Sequence, residues 1–145
     1  MPLFALLLQS KAIVVLAAVL SLAACSSSTE PEEEPEVATM ELTIGTTIVS
    51  FTGGCTPSVS SVTIPTAGAA LSARFLRANG TPDPLVTAAK YQLEVTPAAR
   101  FVRSSAFAGT LTGGAPGQAQ VSFALLHIEE QHEDFGPCPL TVIVQ

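Results

Sequence analysis

The sequence predicts an all-β domain, a sandwich of about seven short strands over residues 41–145, and three observations lead there. Apolar residues recur with a period of two, turn residues interrupt them at roughly 8 to 12 positions, and no stretch carries a sustained helical stripe. Leu42, Ile44, Thr46 and Ile48 alternate with Glu41, Thr43, Gly45 and Thr47, which predicts one half-buried strand through this stretch. Gly53-Gly54 follows as a turn, and Pro65 ends the next segment. Leu71, Ala73 and Phe75 then alternate with Ser72 and Arg74, before Asn79-Gly80 and Pro82 to Pro84 mark a loop. Tyr91, Leu93 and Val95 face one way against Gln92 and Glu94, and Pro97 stops that strand. Ala98 to Gly109 is expected to hold one helical turn at most, and Gly113-Gly114 marks a chain turn. Val121, Phe123 and Leu125 form the penultimate alternation, and Leu140, Val142 and Val144 the last.

The first 25 residues read differently. Lys11 precedes the uninterrupted apolar run Ala12 to Leu20, and small residues lead to Leu22-Ala23-Ala24-Cys25, followed at once by Ser26-Ser27-Ser28. This resembles the lipobox of bacterial lipoprotein signals. The resemblance implies that residues 1–24 are a signal peptide removed by cleavage, that the Cys25 thiol is diacylated, and that Ser26 sorts the product toward an outer membrane if the cell has two. Two or three acyl chains hold a soluble domain almost permanently, whereas one chain at about 0.8 kcal/mol per buried methylene binds only marginally. The competing reading is an uncleaved anchor. A spanning helix needs roughly 20 consecutive apolar residues. Residues 12–24 are too few unless the apolar patch Leu3 to Leu8 joins them across Gln9, Ser10 and Lys11.

Residues 25–40 are then the lipidated cysteine and a tether. Positions 26–40 hold five glutamates and two prolines with little to bury, a composition that stays extended and disordered. Fully stretched, that segment reaches about 50 Å, enough to lift a domain clear of lipid head groups. From Glu41 onward there are seven acidic and five basic residues, nearly balanced, with no basic stripe, so nucleic acid is not expected as a partner. The expected partners are the membrane, through the anchor, and an envelope protein or surface ligand.

Within the domain, Gly109-x-Leu111-Thr112-Gly113, a three-residue gap, and Gly117-x-Ala119-x-Val121 resemble the late-strand signature of the group 2 bacterial immunoglobulin-like domains. Ala67-Gly68 and Asn79-Gly80 also fit that repeat. The resemblance covers residues 60–145 and implies an immunoglobulin-like β-sandwich with a binding or structural role. The chain departs from the family in having Tyr91 where tryptophan is frequent, and in inserting the polar segment His127 to Pro137. The glycines read as turn residues. A phosphate cradle would need a helix after Gly117, and none is predicted.

Two cysteines remain beside Cys25. In an oxidising compartment Cys55 and Cys138 are expected to pair, stapling the early part of the domain to its last strand. The chain-entropy model values such a closure at about 4 to 5 kcal/mol.

Both histidines fall in His127 to Cys138, together with four carboxylates. Extending the alternation of Val121, Phe123 and Leu125 places His127 on the inner face at a strand end. His127, His132 and Asp134 are candidate ligands for zinc or copper, because imidazole and carboxylate suit both ions. The pattern is not the helical His-Glu-x-x-His of metalloproteases. Recruiting Cys138 to a blue-copper site would leave Cys55 unpaired. The alternative is a polar connecting loop with its histidines hydrogen-bonded locally. No nucleophile, base and orienting group can be assembled here, so the expected role is binding or structure without catalysis and without a required cofactor.

Overall fold

Strand β1, Thr39–Ile44, buries Met40, Leu42 and Ile44 on one face and leaves Glu41 and Thr43 half-buried on the other. The computed structural model describes residues 33–145; the leader 1–24, Cys25 and residues 26–32 lie outside the described residues. After β1 come β2 (Thr47–Thr52), β3 (Thr56–Pro57), β4 (Ser61–Ile64), β5 (Ala69–Leu76) and β6 (Tyr91–Thr96). A single 3-10 turn at Ala98–Arg100 leads to β7 (Phe101–Ser105), β8 (Ala108–Leu111), β9 (Gly117–His127) and β10 (His132–Val144).

The strands form two sheets, ordered β3-β2-β1-β5-β8-β7 and β4-β10-β9-β6. This is the all-β sandwich expected from the alternation. Strands β5 to β10 distribute between the sheets as the B to G strands of an immunoglobulin sandwich do, with β5-β8-β7 opposite β6-β9-β10. Strand β4 lies parallel to β10, and every other pairing is antiparallel.

Among the described residues, ten strands replace the expected seven. The stretch read as one strand from Glu41 to Ile48 is a hairpin instead. Gly45, at φ +60°, turns the chain so that Ile44 faces Thr47 in register. A two-residue turn switches which parity points inward. Val49 and Phe51 are therefore buried, and Ile48, expected inside, is 57% exposed. The other alternations hold: Leu71, Ala73 and Phe75, Tyr91, Leu93 and Val95, Val121, Phe123 and Leu125, and Leu140, Val142 and Val144 are all buried. Between the sheets Phe51 meets Phe123 at 6.4 Å between ring centroids. Burying side chains of this size contributes roughly 1.5–3 kcal/mol each relative to exposure.

Cys55 and Cys138 are bonded, with Cα atoms 4.9 Å apart. Cys55 lies in the turn between β2 and β3, and fully buried Cys138 lies within β10 opposite Phe123. The bridge therefore joins one sheet to the other.

Ahead of β1 the chain is already docked. The Glu36 amide donates to Asp83 Oδ2 at 2.7 Å, the Ala38 amide donates to the Leu76 carbonyl at 2.8 Å, and Val37 packs on the core. Asp83 is buried, and its carboxylate also accepts from Arg77 Nε at 3.1 Å and from the Leu85 amide at 2.9 Å. Burial alone would raise the Asp83 carboxyl. The Leu85 amide, the Arg77 guanidinium and the Glu36 amide outweigh that and hold it below the ordinary carboxylate range.

Candidate functional site

The segment His127 to Pro137, expected as a connecting loop, is a hairpin. Strand β9 continues to His127, only Ile128–Gln131 turn the chain, and β10 begins at His132 directly opposite His127. Gln131 takes the left-handed conformation at φ 57°, and its amide donates to the His127 carbonyl at 2.9 Å. On the other side the Ile128 amide donates to the Lys90 carbonyl at 2.8 Å. These bonds fix the turn to both neighbours.

Tyr91, His127 and His132 occupy one row across β6, β9 and β10. Paired residues share a face, so the three rings come together. Tyr91 and His127 stack at 4.7 Å, and His127 meets the His132 ring edge-on at 5.6 Å. Asp134 is the extra residue of a bulge, since Glu133 pairs with Leu126 and Phe135 with Leu125. A second irregularity follows at Gly136-Pro137. Gly136 has φ +98°, and a Cβ there would lie 2.6 Å from the Phe123 carbonyl oxygen.

His127, His132 and Asp134, singled out from the sequence, are thus brought together: one donor atom from each lies within 4.8 Å of the other two. His132 Nε2 is 2.5 Å from Asp134 Oδ1. Glu130, in the turn, reaches both rings with one oxygen: Oε2 is 3.6 Å from His127 Nδ1 and 3.2 Å from His132 Nδ1. Glu129 and Glu133 of the same segment are exposed. The His127 side chain is 5% exposed and that of Asp134 10%, while His132 and Glu130 are 44% and 52% exposed. His127 Nε2 is buried with no hydrogen-bond partner, whereas the buried Asp134 carboxylate has the Tyr91 hydroxyl hydrogen-bonded to it. Leaving a buried polar atom unpaired costs about 1–3 kcal/mol.

The cluster is buried on one side and anionic on the other. Burial, a hydrogen bond with the Asp134 carboxylate, and the charges of Asp134, Glu130 and Glu34 push the Tyr91 hydroxyl up to about 12. Glu34, ahead of β1, therefore adds to the negative field at this end of the sandwich. Asp83 is the other buried charged or polar residue among the described residues, and both its oxygens are engaged. That carboxylate is a structural anchor, whereas the histidine cluster keeps donors in reserve.

Sequence reasoning missed Tyr91 and Glu130 as members of the cluster. Tyr91 joins through register with a strand 36 positions away, which one chain's alternation does not reveal. Glu130 was legible in principle, because a four-residue turn places its third residue beside both strand ends. The chain matches no protein-family model, no curated protein sequence and no solved structure.

Proposed function

We propose that this chain is an exported envelope lipoprotein, held to a membrane by acyl chains on Cys25, that displays a non-catalytic immunoglobulin-like binding module. The observation that carries the reading is Leu22-Ala23-Ala24-Cys25 after a short apolar run with one lysine before it. Cysteine usage supports it. Of three cysteines, Cys55 and Cys138 pair with each other, which suits an oxidising compartment and leaves Cys25 over for another use. The acidic stretch between Cys25 and Glu33 serves as spacer, and the glycine pattern at 109–121 supports kinship with group 2 bacterial immunoglobulin-like domains. Partners of the module are an envelope protein or surface ligand, and the outer membrane is its place in a cell with two.

Mass spectrometry of the protein extracted from whole cells tests this reading. The expected amino terminus is an acylated Cys25 with residues 1–24 removed, and Cys25→Ala is expected to leave the membrane fraction. An intact leader on a free Cys25 thiol overturns the proposal.

A second reading, metal binding at the β9–β10 hairpin, is favoured by the unpaired His127 Nε2 and the gathering of His127, His132 and Asp134.

A further inference from the structure

We propose that His127, His132 and Asp134 hold one divalent transition-metal ion of the zinc or copper(II) class, with Glu130 as the outer carboxylate that orients both imidazoles toward it. This inference deepens the second reading and does not depend on the lipid anchor.

Orientation is the first support. Glu130 Oε2 lies 3.2 Å from His132 Nδ1 and 3.6 Å from His127 Nδ1, so one carboxylate stands beside the Nδ1 edge of both rings. A metal-bound imidazole usually donates its other N–H to such an acceptor, which fixes the tautomer and strengthens the donor. That leaves Nε2 of each ring for an ion. For His127 that nitrogen is buried without a partner, and for His132 it lies against Asp134 Oδ1.

An unpaired donor is the second support. A histidine needed only for packing against Tyr91 gains nothing from a buried lone pair with no donor to accept from. Asp134 adds a carboxylate with Oδ1 on His132 and the Tyr91 hydroxyl hydrogen-bonded to it. An ion held by the cluster gives the buried His127 nitrogen the partner it lacks.

Spacing is the third. Bonds of about 2.0–2.1 Å in tetrahedral geometry place ligand atoms roughly 3.3 Å apart. The present group, within 4.8 Å at its widest and 2.5 Å between His132 and Asp134, brackets that value. The adjustment falls on His132, which is 44% exposed, while His127 is held between β6 and β10.

Chemistry selects the class of ion. Two imidazoles and one carboxylate suit zinc and copper, whereas calcium takes six to eight oxygens and magnesium keeps several waters in an octahedron. Three protein donors leave a further position for water or an outside ligand.

The test uses the full chain, stripped with a chelator and titrated calorimetrically with Zn²⁺ or Cu²⁺. Tyr91 is the single tyrosine of a tryptophan-free chain and stacks on His127, so its fluorescence gives a second readout at the site. One ion per chain is expected, with Tyr91 emission quenched by Cu²⁺ and no response to Ca²⁺ or Mg²⁺. Because His127 is buried and its replacement risks the fold, the deciding variants are His132→Ala and Glu130→Gln, each checked by circular dichroism. Folded His132→Ala is expected to weaken binding by about 100-fold or more, and Glu130→Gln by about 10- to 100-fold. In the Cu²⁺ electron paramagnetic resonance spectrum, two nitrogen couplings are expected in the parent and one in His132→Ala. Absence of saturable binding of both ions to the folded parent, or unchanged affinity in His132→Ala, overturns the site. Unchanged affinity would assign the ion to surface carboxylates instead.

Discussion

Tyr91 and His127 lie ring on ring, 4.7 Å between centroids and 22° from parallel, at the edge where β6 meets β9. Both rings are buried, and the Tyr91 hydroxyl points at the carboxylates of the hairpin. Stacked pairs contribute about 0.5–1.5 kcal/mol beyond the area they bury. Tyr91→Phe keeps the stack, so its expected cost is within about 1 kcal/mol. Tyr91→Ala opens a cavity under His127 and is expected to cost about 3–5 kcal/mol. Urea unfolding of the two variants separates these effects, and equal losses would show that the ring contributes little.

Asp83 ties Glu36, Arg77 and Leu85 to one buried carboxylate. Its folded value lies below the ordinary one, so its stabilising contribution is complete above the unfolded value of about 3.9. That contribution disappears as pH falls through the folded value. Asp83→Asn is expected to lose about 2–3 kcal/mol at pH 7, because an amide cannot accept from all three donors. Unfolding curves of parent and variant should begin to converge as pH falls below about 4. A gap of constant size from pH 7 to pH 3 would refute the charge-based account.

How far the sequence disclosed this molecule varied with the range of the interaction involved. Alternation is set by neighbours two residues apart, and it placed Leu71, Leu93, Phe123 and Val142 inside correctly. The pairing of Cys55 with Cys138 followed from number and compartment, and is present. The hairpin at Gly45 escaped because Ile48 continues the even-numbered apolar series while Val49 and Phe51 begin an odd one. Burial, which only the opposite sheet supplies, decides between them. At the site, the local alternation set His127 inward. The gathering of His132, Asp134, Glu130 and Tyr91 around it depends on hairpin register and a bulge, neither of which residue type alone determines.

The Cys55–Cys138 bridge closes a separation of 83 residues and links the two sheets. A loop of that length restricts the unfolded chain by about 4 to 5 kcal/mol in the entropy model. A Cys55→Ala, Cys138→Ala double variant is expected to unfold at much lower urea concentration, with the native circular dichroism spectrum retained in buffer if the core alone suffices. Stability equal to the parent would mean that the bridge contributes strain that cancels its entropic effect.

Gly136 connects backbone conformation to the position of the hairpin carboxylate. At φ +98° and with the Phe123 carbonyl oxygen 2.6 Å from where a Cβ would sit, it tolerates no side chain without displacement of β10 against β9. The left-handed backbone disfavours alanine by about 1 kcal/mol, and the collision adds to that. Gly136→Ala is therefore expected to cost about 2–4 kcal/mol and to lower the midpoint of thermal unfolding by roughly 10–20 °C. Relief of the collision must move the strand on one side or the other. Asp134, two residues away on the bulge, is expected to shift from His132, whereas Leu140 to Val144, beyond Cys138 and its bridge, keep their register. Amide exchange followed by nuclear magnetic resonance reads this directly: protection should fall for residues 132–137 and persist for 140–144. Uniform loss along the whole strand would show that the bulge does not insulate the hairpin from the core.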